Sequence, residues 1–255
     1  MAAQPRSFAI PHRWDRNFFL TFVLLAWLGV AQGFFPASAA RFTGKADYPA
    51  PLILQIHAAS FMAWLVLLTV QVVLIRRGRQ LNHRKLGMIG ACLIPVMVLS
   101  GFFAEVYSQR FHLTHAPNSQ AFFVIPIWYV LAFGTLAGWA IAQRTDPPAH
   151  KRLIYLATAV IVGAAYARWW GEAINTLTGD GYFGMIANTF TATNLFMAAL
   201  VIYDIATRRR AHRVAMVAVP AIVASELIVS WLYHAPGWLP VAHAIAAAFP
   251  GPPIP

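Results

Sequence analysis

Residues 51–75 have the sequence PLILQIHAASFMAWLVLLTVQVVLI and are followed by the basic turn Arg76-Arg77-Gly78-Arg79. The run contains no Asp, Glu, Lys or Arg. A stretch of about 20 apolar residues is long enough to cross the roughly 30 Å hydrocarbon core of a bilayer. Backbone polar groups cannot stay unpaired in lipid, so such a stretch must be helical. These residues therefore predict a membrane-spanning helix that ends in a basic loop.

The same pattern recurs along the chain. Apolar runs predict seven spans near residues 17–36, 51–75, 86–107, 120–143, 153–172, 184–206 and 214–235. The composition agrees, because 59% of the residues are hydrophobic and only 11% are charged, whereas soluble domains carry about 25% charged residues. The expected fold class is all-α, a polytopic membrane protein built as a bundle of about seven transmembrane helices.

Lysine and arginine predict the orientation of this bundle. Fifteen of them fall in the segments on the side of the N-terminus and four on the other side. Cytoplasmic loops carry the excess of Lys and Arg, so we expect the N-terminus inside and the C-terminus outside a bacterial inner membrane. The predicted parts are a cytoplasmic N-terminal segment (1–16), a transmembrane domain (17–235) and a Pro-rich periplasmic tail (236–255).

The first span has two interpretations. Basic residues precede an apolar stretch, and Ala37-Ser38-Ala39 is similar to a cleavage site, which together are typical of a secretory signal peptide. The alternative is a retained first helix. We favour retention because the apolar run continues through Phe34 and Phe35.

The net charge of +11 does not indicate nucleic acid binding, because the basic residues lie in short loops between apolar runs. The expected partners are the lipid bilayer and its anionic headgroups, with subunits of a membrane complex as further candidates. Helix N-termini favour anions, and three spans begin beside basic residues on the predicted cytoplasmic side. The headgroup candidates are His83, Arg84, His150, Lys151, Arg152, His212 and Arg213.

Polar residues inside spans are costly and usually face the bundle interior. In the second span, His57, Phe61, Trp64 and Gln71 follow one helix face. This stripe is either a packed seam with one satisfied histidine or the lining of a site for a ligand or proton.

The last span places Glu226, Ser230 and His234 on one face. An unpaired carboxylate in hydrocarbon costs several kcal/mol or is neutralised, so Glu226 needs a partner. At similar depth, His57 and Arg168 are the expected partners, which predicts a shared polar pocket in the outer half of the bundle. The ligand-binding candidates are His57, Trp64, Glu105, Arg168, Asn194, Glu226 and His234.

Two pairs of opposite charge have i,i+4 spacing. Arg168 with Glu172, and Asp204 with Arg208, would each form a local ion pair on one helix. For Asp204 and Arg208 we expect this local pair, and for Arg168 it is the alternative to a role in the pocket.

Several short motifs resemble a bacterial family of uncharacterised multi-pass inner-membrane proteins. They are Gln55-Ile56-His57-Ala58 with Phe61, Trp64 and Gln71; His83-Arg84-Lys85-Leu86-Gly87; His150-Lys151-Arg152-Leu153; and Tyr203-Asp204 followed by His212. The resemblance extends from Asn17 to about Met216 and implies the architecture. The helix start after His83 is also similar to a shorter cytochrome oxidase assembly family and, distantly, to membrane b-type cytochromes.

Three functions are compatible with these features, and the sequence leaves enzymatic activity open. The first is binding of haem b or a quinone for electron transfer or haem handling, with His57 and His234 as candidate haem ligands. Bis-histidine ligation needs two histidines on facing helices at similar depth, and His234 lies closer to the end of its span. The second is a non-redox binding protein or proton-coupled transporter for a small polar molecule. The third is an accessory subunit of a membrane complex, whose polar residues fix helix packing.

Overall fold

The computed structural model describes residues 7–46, 50–115 and 117–249, and these are almost entirely helical. The helices are α1 (Asp15–Phe42), α2 (Leu52–Arg76), α3 (Gln80–His115), a 3-10 helix (Pro117–Phe123), α4 (Val124–Ala142), α5 (Pro147–Thr178), α6 (Tyr182–Arg208), α7 (Arg213–His234) and α8 (Trp238–Ala248). Among the described residues, seven helices are long and apolar enough to cross a membrane. The predicted all-α fold with seven spans is confirmed.

Helix α5 is the centre of the bundle. It packs against α6, α4, α1 and α7, while α2 packs against α3 and α1. In the most apolar stretch of each helix, 67% of α5 is buried within the protein but only 17% of α2. The remaining apolar surface of α2 is the kind that lipid covers. Helices α2 and α7 share no extended interface in the described part of the chain, since α7 packs against α6, α4 and α5.

The bundle has two ends, which we name by their residues. The basic face is formed by the starts of α1, α3, α5 and α7 and the ends of α2, α4 and α6; the opposite face is formed by the other helix ends. Contacts across several helices fix the basic face: Arg76 donates to the Asn17 side chain at 3.3 Å, and the rings of His83 and His150 lie 6.4 Å apart.

Small residues bring α1 close to α5. A Cβ atom at Gly33 would overlap the backbone carbonyl of Ala165, and one at Gly29 would overlap the ring of Tyr166. The Tyr166 hydroxyl donates to the carbonyl of Leu25 at 2.9 Å. Glycine at such positions lets two membrane helices approach and gain packing contacts.

Several helices are longer than the predicted spans. Helix α5 begins at Pro147, six residues before the predicted start, and α3 extends from Gln80 to His115. Hydropathy marks where the apolar stretch begins and ends. The helical backbone continues through polar residues beyond both limits, as far as the capping residue at each end. At the start of α5 the cap is Asp146, whose carboxylate accepts from Ala149 N at 3.2 Å, with Pro147 in the first position.

The tail contains a helix that the proline content did not predict. Helix α8 has 11 residues, too few to cross a bilayer, and it packs against α3 and the 3-10 helix. The Trp238 indole donates to the Ala121 carbonyl at 2.9 Å, and Arg110 donates to the Ala247 carbonyl at 3.3 Å. The tail therefore covers part of the opposite face as far as residue 249.

Candidate functional site

Two polar clusters lie within the bundle, one at each end. The basic-face cluster consists of Asp15, Lys151, Arg152, Tyr203, Asp204, Arg208 and His212. At its centre Arg152 of α5 forms an ion pair with Asp204 of α6, and their side chains are 1% and 0% exposed. Arg152 Nε lies 2.8 and 3.1 Å from the two carboxylate oxygens. The expected local pair of Asp204 with Arg208 is therefore wrong.

Asp15 joins α1 to this cluster. Its carboxylate accepts from Lys151 Nζ at 2.9 Å and from Arg208 at 3.4 Å, and the Tyr203 hydroxyl also donates to it. The backbone N–H of His12 adds a fourth donor at 3.2 Å. One carboxylate in the first turn of α1 thus ties together α1, α5 and α6.

Burial separates the headgroup candidates into two groups. Arg84 and Arg213 are exposed, whereas Arg152 and His212 are buried. Arg152 is paired with Asp204 and only 1% of its side chain is exposed, so the structure gives it a place in the interior of the bundle and no surface for a headgroup. His83, His150 and Lys151 are half-buried.

His212 has a structural function at the start of α7. Its Nδ1 accepts from Val214 N at 3.3 Å, and its own backbone N–H donates to Asp204 at 3.1 Å. Burial and then the charge of Arg152 lower the pKa of His212 to about 4. The ring is therefore neutral at pH 7 and caps the helix as a hydrogen-bond acceptor.

The second, opposite-face cluster consists of His57, Glu105, Tyr129, Arg168, Asn194 and Glu226. Glu226 is 2% exposed, and its Oε2 accepts from Asn194 Nδ2 at 2.9 Å. Its Oε1 is buried and has no hydrogen-bond partner in the described part of the chain. The partners expected for Glu226, His57 and Arg168, are wrong, because the neighbouring helix α6 supplies Asn194 instead.

Arg168 provides the positive charge of this cluster. Its guanidinium lies 4.7 Å from the centre of the Phe34 ring and donates to the Ala164 carbonyl at 3.1 Å. The side chain is exposed, and its charge contributes to the electrostatic environment of His57, Glu105 and Tyr129. Arg168 therefore acts across helices.

Tyr129 of α4 is buried, and the charges of both Arg168 and Glu226 contribute to its electrostatic environment. Its hydroxyl donates to the Thr189 carbonyl of α6 at 2.9 Å. The sequence prediction missed Tyr129. The sequence does contain a feature that could have identified it. Tyr129 lies inside an apolar span, where a buried hydroxyl needs a hydrogen-bond partner.

The stripe on α2 combines packing with two unmatched polar atoms. The Trp64 indole donates to Thr158 at 3.1 Å, and Gln71 donates to the His83 carbonyl at 3.1 Å. The His57 ring packs against Phe61 at 4.3 Å, but its buried Nδ1 has no hydrogen-bond partner among the described residues. Trp64 is a packing residue, and the unmatched atoms of this stripe are His57 Nδ1 and the Oε1 of Gln71, whose amide nitrogen is held by the His83 carbonyl.

The geometry does not fit a haem held by His57 and His234. His234 is at the end of α7, and its Nδ1 lies 2.7 Å from the Ser230 carbonyl of the preceding turn. Bis-histidine ligation needs facing helices, and α2 and α7 do not pack as neighbours in the described chain. Glu105 is likewise engaged locally, accepting from Gln109 at 2.6 Å.

The fold and the two clusters define a polytopic α-helical membrane protein that buries ionisable side chains at both ends of its bundle, Arg152 and Asp204 at one end and Glu226 at the other. Comparison with protein-family models, with curated proteins and with solved structures finds no match.

Proposed function

We propose that this protein handles protons at Glu226, as a proton-coupled transporter or binding protein for a small polar molecule. The observation that carries the proposal is the buried Oε1 of Glu226, which has no hydrogen-bond partner among the described residues. Leaving a buried polar atom unsatisfied costs about 1–3 kcal/mol. Native proteins keep few such groups, so a proton, a water molecule or a ligand is expected at this atom.

The surroundings of Glu226 suit this role. Asn194 holds one carboxylate oxygen, so the other is free to take up or release a proton or to accept from a ligand. The unmatched Nδ1 of His57 and the charge of Arg168 belong to the same cluster. Intramembrane carboxyl and histidine groups of this kind recur along proton and substrate pathways.

The proposed setting is a bacterial inner membrane with the basic face in the cytoplasm. The excess of Lys and Arg on that face supports it, as does the resemblance to the bacterial multi-pass family. The opposite-face cluster would then be reached from outside. We propose that the exposed Arg84 and Arg213 meet anionic headgroups.

A quinone is the second candidate ligand, because Trp170 Nε1 is a buried N–H donor with no acceptor among the described residues. A quinone carbonyl would accept from such a donor. A shift of the bound quinone's carbonyl vibration that is lost in Trp170→Phe supports this candidate, and an unchanged vibration excludes it.

Proton handling is tested in proteoliposomes loaded with a pH-sensitive dye under an imposed membrane potential. We expect proton flux in the parent protein, a loss of at least tenfold in Glu226→Gln, and parental flux in Glu172→Gln, which removes an exposed carboxylate of α5. Infrared difference spectra between acid and alkaline pH should show a carboxylic acid band that Glu226→Gln lacks. Absence of both flux and band contradicts the proposal and favours an accessory subunit.

A further inference from the structure

Residues 7–14 precede α1 and lie across the basic face. The Phe8 ring is surrounded by three guanidinium groups, with ring-centre distances of 4.6 Å to Arg152, 6.0 Å to Arg208 and 5.5 Å to Arg210. The His212 ring meets the same phenyl group edge-on at 4.7 Å. The segment is held down where Arg208 donates to the Ile10 carbonyl at 3.0 Å.

The charges beneath this segment do not balance. Asp204 neutralises Arg152, and Asp15 is shared by Lys151 and Arg208. Arg210 adds a fourth cation beside the Phe8 ring, so the four cations around this segment exceed its two carboxylates by two positive charges. The N-terminus of α7, which begins beside His212, adds positive potential from its backbone dipoles.

The same group of cations contains an unused hydrogen-bond donor. Arg208 is 2% exposed, and its Nε is buried with no hydrogen-bond partner among the described residues. The other known bonds of this guanidinium go to Asp15 and Ile10 through a single nitrogen. A buried N–H of an arginine needs an acceptor, and the local excess of positive charge selects an anionic one.

We propose that Arg208 and Arg210, together with the first turn of α7, form a binding site for a phosphate group, and that Phe8 covers this site. Arginine recognises phosphate through charge-assisted hydrogen bonds, which are stronger than the contact of a guanidinium with a phenyl ring. A phosphate group can therefore displace Phe8. This site is separate from the Glu226 cluster and does not depend on the function proposed for it.

The experiment compares two sources of phosphate with the full-length chain. Inorganic phosphate is titrated into detergent-solubilised protein by calorimetry, and bound lipid is counted by native mass spectrometry after reconstitution in nanodiscs of phosphatidylglycerol or phosphatidylcholine. The variants are Phe8→Ala, which uncovers the site, and Arg210→Gln. Arg209→Gln is the matched control, because Arg209 is also exposed and makes no ring contact with Phe8 in the described structure.

We expect Arg210→Gln to weaken binding about fivefold, as expected for loss of one arginine near the anion. Phe8→Ala should tighten binding, and Arg209→Gln should leave it unchanged. Retention of phosphatidylglycerol alone identifies the phosphate as a lipid headgroup, and binding of inorganic phosphate identifies a soluble source. Equal losses in the two arginine variants, or no binding of either probe by parent and Phe8→Ala protein, overturn the proposal.

Discussion

The two polar clusters differ in how completely their buried carboxylates are matched. At the basic face, the Asp204 carboxylate has Arg152 and the His212 N–H as donors, and Asp15 accepts from four groups. At the opposite face, Glu226 has one amide partner and one unmatched oxygen. Asp15, Asp204 and Glu226 are all buried, with 8%, 0% and 2% of each residue exposed, so burial does not explain the difference.

This contrast separates a structural role from a functional one. A buried carboxylate whose hydrogen-bond partners are all in place holds those partners in one arrangement, and removing it leaves their charges unpaired. A cluster with unmatched atoms contributes less to stability but can accept a proton or a ligand. The basic-face cluster therefore ties α1, α5 and α6 together, and the opposite-face cluster is the candidate for chemistry.

The largest loss of stability is expected for Asp204→Asn, which leaves the Arg152 guanidinium charged and buried without its partner. Removing one partner of a buried ion pair costs about 3–5 kcal/mol. Thermal unfolding in detergent, followed by tryptophan fluorescence, should show this loss. The double variant Arg152→Met with Asp204→Leu should lose less, because no charge is left unpaired. A single variant no less stable than the double variant contradicts a matched network.

A pair of tyrosines tests the same idea at smaller scale. The Tyr203 hydroxyl donates to the charged Asp15, whereas the Tyr155 hydroxyl donates to the neutral carbonyl of Phe196 at 2.9 Å. Hydrogen bonds to charged groups contribute about 1.5–3 kcal/mol and neutral ones about 0.5–1.5 kcal/mol. Tyr203→Phe should therefore lower the unfolding free energy more than Tyr155→Phe does, and equal losses would argue against a special role for Asp15.

Hydropathy predicted the helices of this fold because the bilayer imposes one simple requirement on each span, a continuous apolar stretch about 20 residues long. It could not predict the partners inside the bundle. Arg152 and Asp204 are 52 positions apart, and Asp15 and Tyr203 are 188 apart. An i,i+4 rule finds only neighbours on one helix, which is why it joined Asp204 to Arg208.

The candidate site was predicted in part. Polar residues within spans pointed to Glu226, Asn194 and Arg168, because the cost of burying them is visible in the sequence. Which of these side chains contact each other depends on which helices are neighbours in the bundle. The sequence does not show that α7 packs beside α6 and not beside α2. Phe8 gave no signal, since a single aromatic residue before the first span is unremarkable until three arginines surround it.

The basic face should also respond to pH through His212. Its pKa is about 4 in the folded protein and about 6.5 when unfolded, so the unfolded chain binds the proton first. Stability should fall as pH decreases from about 6.5 towards 4, by at most about 1.4 kcal/mol per pH unit. His212→Asn keeps a good N-cap and should flatten this part of the stability–pH curve. If the slope of stability against pH is the same in His212→Asn as in the parent protein, groups other than His212 cause the pH dependence.

The smallest loss of stability is expected for Glu226→Gln. This variant makes the same carboxylate-to-amide change as Asp204→Asn at an equally buried position. No ion pair involves Glu226 in the described part of the chain, so the substitution leaves no cation unpaired. The glutamine oxygen can still accept from Asn194. We therefore expect a change of no more than about 1 kcal/mol in unfolding free energy, measured in the same detergent as Asp204→Asn. A loss as large as that of Asp204→Asn would mean that Glu226 has a strong partner in the folded protein, and the distinction between a structural and a functional cluster would fail.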